Sequence, residues 1–118
     1  MTTTTTVMRK QLFINNAWRD AASGQTIDVV NPATEDVIAS VPSADKADLD
    51  AAVAAARVAY DGPWGRMSAR DRGRLLWKIG EKLMEKADEL ARLETLHNGK
   101  PIFESRHIEV PASAECFQ

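Results

Sequence analysis

SARDRGRLLWKIGEKLMEKADELARLETLHNGKP, residues 68–101, carries a helical signal from end to end. Ser68 is a good N-cap, and Asp71, three residues on, completes a capping box that satisfies two orphan backbone donors. Stepped at about 100° per residue, Leu75, Ile79, Leu83, Ala87, Leu90 and Leu93 fall on one apolar stripe. Lys78, Glu81, Glu85, Asp88 and Arg92 lie opposite, with Asp88 and Arg92 spaced for an i,i+4 ion pair. At the far end Asn98-Gly99-Lys100-Pro101 stops the helix, because Gly99 can take the left-handed cap and Pro101 cannot extend another turn. The expectation is one amphipathic helix, or two end to end with a bend near Lys86–Asp88. Trp77, Gly80, Met84 and Ala91 add a second apolar strip about a quarter-turn round, so the helix has surface for two neighbours.

Upstream the pattern changes to strands. Gln11–Ile14 and Ala17–Asp20 flank Asn15-Asn16, and asparagine tolerates the positive φ of a two-residue hairpin turn. Ser23-Gly24 marks a second turn. Thr26–Val30 reads as a strand, Asn31-Pro32-Ala33-Thr34 as a break, and Asp36–Val41 as the return strand. Asp45, with Asp48 three residues on, caps a helix over Lys46–Tyr60. Its apolar stripe is Leu49, Val53, Ala56 and Tyr60, while Ala52, Ala55 and Ala59 leave another face shallow enough for close approach. Asp61-Gly62-Pro63 ends it, and Trp64 falls in the loop before the long helix. Beyond Pro101, Ile102–Gln118 is helical in composition, with a bend or restart at Pro111. The sum is two short β-hairpins followed by three to four α-helices. Glu115-Cys116-Phe117-Gln118 brings no cap or polar run, so the pattern is expected to continue in a longer protein.

Composition narrows the function classes. With 118 residues and a formal net charge of −2, the chain has no electrostatic pull toward nucleic acid or an anionic membrane. The longest apolar run, Ala51–Ala56, is far short of a transmembrane span. Cys116 has no partner for an internal disulfide and Met1–Val7 lacks an apolar signal core, so a cytoplasmic setting is expected. The threonine run makes residues 1–10 a disordered tail.

Candidate chemistry is sparse. Cys116 beside Glu115 invites comparison with a thiol nucleophile, but no spacing brings His97 or His107 to it, and the three form no zinc pattern. Glycine-rich dinucleotide and phosphate motifs are missing. Arg66, Arg70, Arg72 and Arg74 suit a solvated helix start better than a phosphate site. Trp18, Trp64 and Trp77 read as core or interface anchors.

The order of motifs is more specific than any one of them. LFINNAWRDAASGQTIDVVNPATEDVIASVPSADKADLDAAVAAARVAY, GPWGRM, RGRLLWKIGEKL, ADELARLETLHNGKPIFES and VPASAECF together resemble the amino-terminal quarter of NAD(P)-dependent aldehyde dehydrogenases, from about Leu12 to the last residue. The resemblance implies an α/β fold in which residues 11–118 are the amino-terminal part of a Rossmann-like cofactor domain. It implies an enzyme that oxidises an aldehyde to a carboxylic acid through a cysteine thiohemiacetal. The cofactor, NAD or NADP, is bound outside this segment, and the nucleophilic cysteine and the glutamate that activates water also lie outside it. No catalytic or cofactor-binding residue is therefore carried over, and Cys116 does not match the nucleophile's motif. The implied partners are a small aldehyde, the remainder of the same chain, and further copies in a homo-oligomer. Ile108 and Ala112 fall where the family's substrate tunnel runs, as wall residues or equally in a packing role. A structural monovalent cation is implied at the carbonyls of Val29 and Val30 and at position 97, an aspartate in the family. His97 stands there instead, and imidazole nitrogen suits a hard alkali cation poorly, so the site is expected to be weakened or empty. The segment alone is expected to be inactive. The rival reading is a stand-alone, non-catalytic helical interaction module.

Overall fold

A computed structural model describes residues 8–118. They form two compact units. One runs through Val30 and resumes over Glu35–Arg66, and the other joins Asn31–Thr34 to Met67–Gln118.

The first unit holds all the strands: β1 (Met8–Arg9), β2 (Leu12–Ile14), β3 (Ala17–Arg19), β4 (Thr26–Val30) and β5 (Val37–Pro42). Both expected hairpins form. β2 and β3 pair through Asn15 and Asn16, whose φ values of 52° and 60° give the tight turn their side chains tolerate. β4 and β5 pair antiparallel from Thr26–Pro42 to Val30–Val37, with a register slip between Val29 and Val30. Met8–Arg9, expected as tail, instead runs parallel to Ala39 and Ser40 on the other edge of β5. The reason is the unpaired backbone of that edge, which also takes the Lys10 amide at Ser40. Residues 1–7 of the expected tail lie outside the described residues.

Helix α1 (Lys46–Asp61) starts with the full capping box, Asp45 accepting from the Ala47 and Asp48 amides and Asp48 accepting from the Asp45 amide. Asp48 is buried and also serves a second segment, since both of its carboxylate oxygens accept the Ala22 amide, at 3.1 and 3.2 Å. One carboxylate thus fixes the helix start and the Ala21–Gly24 turn together. The shallow face behaves as expected at Ala52 and Ala55, which are half-covered, whereas Ala59 is exposed. The large stripe does not: Leu49 is 62% exposed, and Val53 and Tyr60 are also open. Trp64 is not in a loop but in a one-turn helix, α2 (Pro63–Arg66). Pro63 supplies a helical φ in advance and has no amide to satisfy.

The second unit is helical. Ser68 caps α3 (Ala69–Glu85) by accepting the Asp71 amide at 3.1 Å. The Asp71 carboxylate takes the Ser68 hydroxyl (2.7 Å) and Arg74 (3.3 Å), in place of the return bond to the Ser68 amide that a full box requires. α3 meets α4 (Ala87–Asn98) at Lys86, whose φ of −104° and ψ of 16° make the expected bend in one residue. Gly99 closes α4 at φ 72°. Asp88 does not pair with Arg92 as spacing suggested; its partner is Arg106. After Pro101 come α5 (Ile102–Glu104), a π-helical segment (Ser105–Glu109) and α6 (Val110–Glu115), continuous in helical dihedrals. Pro111 cannot donate to the preceding turn and its ring crowds the His107 carbonyl. Widening that turn to π geometry accommodates it without a break.

Packing in this unit runs through small residues. Ala87, Ala91 and Val110 are buried with Leu90 against them, and Gly80 of α3 lies against Ala114 of α6. Of the expected apolar stripe, Ala87 is buried and Leu83 and Leu90 are half-buried, whereas Leu75, Ile79 and Leu93 are exposed, as is Trp77 at 50%. Helices that meet over Gly and Ala approach closely, and their larger side chains are left to each side. No helix among the described residues is long and apolar enough to cross a membrane.

Candidate functional site

A polar grouping in the second unit gathers around the Asn98–Pro101 helix end. Gly99 supplies the reversal, and its amide bonds the Thr95 carbonyl at 2.9 Å. A side chain at 99 would be strained by the positive φ and would meet the Pro32 ring at 3.0 Å, so the Asn31–Thr34 turn seats directly on this glycine. That turn is self-braced, the Asn31 side chain accepting the Ala33 amide at 2.9 Å.

Lys100 then points its ammonium at Glu109 (2.5 Å) with Glu94 at 3.9 Å, joining the end of α4 to the π segment. The hydrogen bond from Glu109 is the main cause that raises the Lys100 pKa above its ordinary value; partial burial opposes it. Beneath this pair Ser105 is fully buried and shares a 3.4 Å hydrogen bond with Thr95. Arg106 reaches Asp88 from the same segment, and His107 lays its ring on Phe103 at 4.8 Å. These bonds lock α4 to the π segment and move no proton. Sequence reasoning read Asn98-Gly99-Lys100-Pro101 only as a stop signal. The separation of Lys100 from Glu109 belongs to no helical period, so nothing in the sequence paired them.

The residues singled out for chemistry are placed as follows. Cys116 is exposed just past α6. His107 is occupied with Phe103, and the Nε2 atom of His97 is buried without a hydrogen-bond partner. Among the described residues no group of three or more His, Cys, Asp or Glu could hold a metal. Arg72 binds the Met67 carbonyl at 2.6 Å and Arg74 binds Asp71, so these two serve the helix start. Ile108 and Ala112 are exposed. Val29 and Val30 close β4 in the first unit, opposite Ala39 and Val37, and His97 occupies the last turn of α4 in the second.

Comparison with known proteins gives this scaffold its relatives. The family model "Aldehyde dehydrogenase family" matches residues 18–118. An aldehyde dehydrogenase of Alternaria alternata is 46% identical over 107 residues, which are 91% of this chain and 22% of that protein. The mitochondrial aldehyde dehydrogenase of Equus caballus is 45% identical over 114 residues, 95% of this chain and 23% of the enzyme. Among solved structures, the NAD+ complex of an aldehyde dehydrogenase from Bacillus cereus superposes with a TM-score of 0.89 at 41% identity, covering 92% of this chain and 22% of that one. An α/β chain with these matches belongs to the aldehyde dehydrogenase family. It spans about a fifth of the length of the relatives it matches, 22% and 23% for the two enzymes above.

Proposed function

We propose that this chain is the amino-terminal part of the Rossmann-like cofactor domain of an aldehyde dehydrogenase. The whole enzyme would oxidise an aldehyde to a carboxylic acid: a cysteine thiolate adds to the carbonyl, hydride leaves the resulting thiohemiacetal, and water activated by a glutamate hydrolyses the thioester. NAD or NADP, when bound, accepts the hydride; the NAD+ complex of the Bacillus cereus relative supports NAD. The 118-residue chain itself is inactive in this reading, because none of its residues matches the family's nucleophile or water-activating base.

The observation that carries the reading is the family match combined with apolar surface left open in both units. Leu49, Val53 and Tyr60 in the first, and Leu75, Trp77, Ile79 and Met84 in the second, are too many large side chains to leave in water. The partner that covers them is the remainder of the same polypeptide. A cytoplasmic homo-oligomer completes the proposal, on the single cysteine and on the family resemblance.

Grafting tests it. Residues 18–118 replace the matching segment of the Bacillus cereus enzyme, and NADH formation from an aldehyde is followed at saturating NAD. The chimera should turn over, and the isolated chain should give only the blank rate. A chimera that folds as the parent does yet makes no NADH would remove the proposal.

A further inference from the structure

We infer that the segment of the parent enzyme lying over the junction of α3 and α4 is an apolar helix edged with carboxylates, held by a row of three lysines. The inference rests on the proposed reading that the rest of the polypeptide covers these faces, and it adds the chemistry of the covering segment.

The groove lies wholly within the second unit. Leu75, Ile79 and Leu83 follow one another at four-residue steps along α3, and Leu90 of α4 continues the floor past the bend at Lys86. Leu90 also packs against Ala87, Ala91 and Val110, so the far end of the floor is anchored in the buried cluster of the unit. Leu75 and Ile79 remain 37% and 42% exposed.

A cationic row runs beside the apolar one. Lys78, Lys82 and Lys86 line the same groove, each three residues after a floor residue, which makes the two rows neighbours on the helix surface. Four-residue steps set the lysines about 6 Å apart along the axis. Lys82 bonds Glu85 at 2.5 Å and Lys86 bonds Glu89 at 2.8 Å, in exposed pairs that exchange partners at little cost. Lys78 has no carboxylate partner among the described residues.

The floor and the row together define the occupant. A segment that seats apolar side chains on Leu75, Ile79 and Leu83 brings its own flank against the ammonium groups and takes water from them. Neutral or basic groups on that flank would leave the charges uncompensated. A single anionic head, as on a fatty acid, would meet only one of the three. Carboxylates repeating about every 6 Å, at each fourth residue of a helix laid in the groove, meet them all.

Two fluorescein-labelled helical peptides test this. They share one leucine stripe and differ in the edge, which carries glutamate in one and lysine in the other at every fourth residue. Anisotropy titrations are run on the chain, on the Bacillus cereus chimera, and on the chain carrying Lys78→Glu, Lys82→Glu and Lys86→Glu. The chain should bind the glutamate peptide about tenfold more tightly at low ionic strength, a ratio that shrinks in high salt. The triple reversal should invert the ratio, which separates this groove from the open face of α1. Lys78→Glu alone, which breaks no ion pair, should shift the ratio the same way by a smaller factor and stands in should the triple variant fail to fold. The chimera should bind neither peptide, its groove being filled by the enzyme's own segment. Equal affinity for the two peptides, a preference the reversals leave unchanged, or no binding by the chain would overturn the inference. A chimera that binds the glutamate peptide as the chain does would also overturn it, because its groove would be open to another protein. So would self-association of the chain that the triple reversal abolishes, because the occupant would be a second copy. NADH formation by the same chimera is read separately: turnover with an open groove removes this inference and leaves the proposed reaction standing, whereas a filled groove without turnover does the reverse.

Discussion

Two glycines in α3 should respond to the same substitution with opposite sign. Gly73 and Gly80 are both interior to the helix, so replacing either by alanine removes a backbone-entropy cost of roughly 0.5–1 kcal/mol. At Gly73 an added Cβ meets nothing within 4 Å, and the gain should appear nearly whole. At Gly80 the same carbon would stand 2.8 Å from the Ala114 carbonyl oxygen and 3.0 Å from Gln118 Cγ and Nε2. Gln118 can swing away. Ala114 is backbone of α6 and cannot, so α3 and α6 must separate by several tenths of an ångström. Overpacking of this kind costs about 1–3 kcal/mol. Subtracting the propensity gain leaves Gly80→Ala destabilised by up to about 2.5 kcal/mol, and Gly73→Ala stabilised by up to about 1. Urea unfolding followed by far-UV circular dichroism, on the chain and on the Bacillus cereus chimera, gives both values. If Gly80→Ala proves as stable as Gly73→Ala, α6 does not rest on α3 where described, and the small-residue packing of the second unit is refuted.

Lys100 makes a prediction in pH. Its folded pKa lies above the ordinary 10.5 through the Glu109 hydrogen bond, so the stabilisation is fully present below 10.5 and is lost as pH rises through the higher folded value. Lys100→Met should remove this part of the alkaline limb while leaving the limb owed to other groups; coincident stability-against-pH curves from pH 9 to 12 would contradict it. The open apolar faces make another. Leu49→Ala and Leu75→Ala should change the stability of the chain by no more than about 0.5 kcal/mol, as surface substitutions do. In the chimera, where the remainder of an enzyme covers those faces, each should cost about 2–5 kcal/mol. Equal effects in the two settings would show that the faces are not covered.

Local chemistry was legible wherever a short motif suffices. Asn15-Asn16, Ser23-Gly24, Asp45 with Asp48, Ser68 and Gly99 all sit where their backbone preferences place them, and the bend falls at Lys86. Misreadings came where two distant segments decide. Helical periodicity identifies an apolar stripe but not its partner, so it does not separate Ala87, which is buried, from Leu75 and Ile79 on the same stripe, which are open. Asp88 prefers Arg106, eighteen residues away, to the well-spaced Arg92. β1 exists because β5 has an open edge, a fact about the sheet rather than about Met8 and Arg9. At the candidate site, the role of Lys100 was hidden for the same reason: it joins elements whose meeting no period encodes, as the bond from Ala22 to Asp48 does in the first unit.

The two kinds of apolar residue in this chain therefore answer to different partners. Those buried among the described residues are Ala21, Ala39, Ala87, Ala91, Val110 and Ala114, nearly all a single methyl group beyond the backbone. At about 0.8 kcal/mol per buried CH₂-sized group, such a core contributes little against the entropy of ordering the chain. The side chains able to contribute about 1.5–3 kcal/mol each, Leu49, Val53, Leu75, Ile79, Met84 and the three tryptophans, keep a third or more of their surface open. Small residues thus set how the elements within each unit approach, and the large ones hold most of the binding energy in reserve. A stand-alone interaction module would need only one such face. Open faces on α1 in one unit and on α3 in the other are what the proposed reading, a segment of a longer dehydrogenase, leads one to expect.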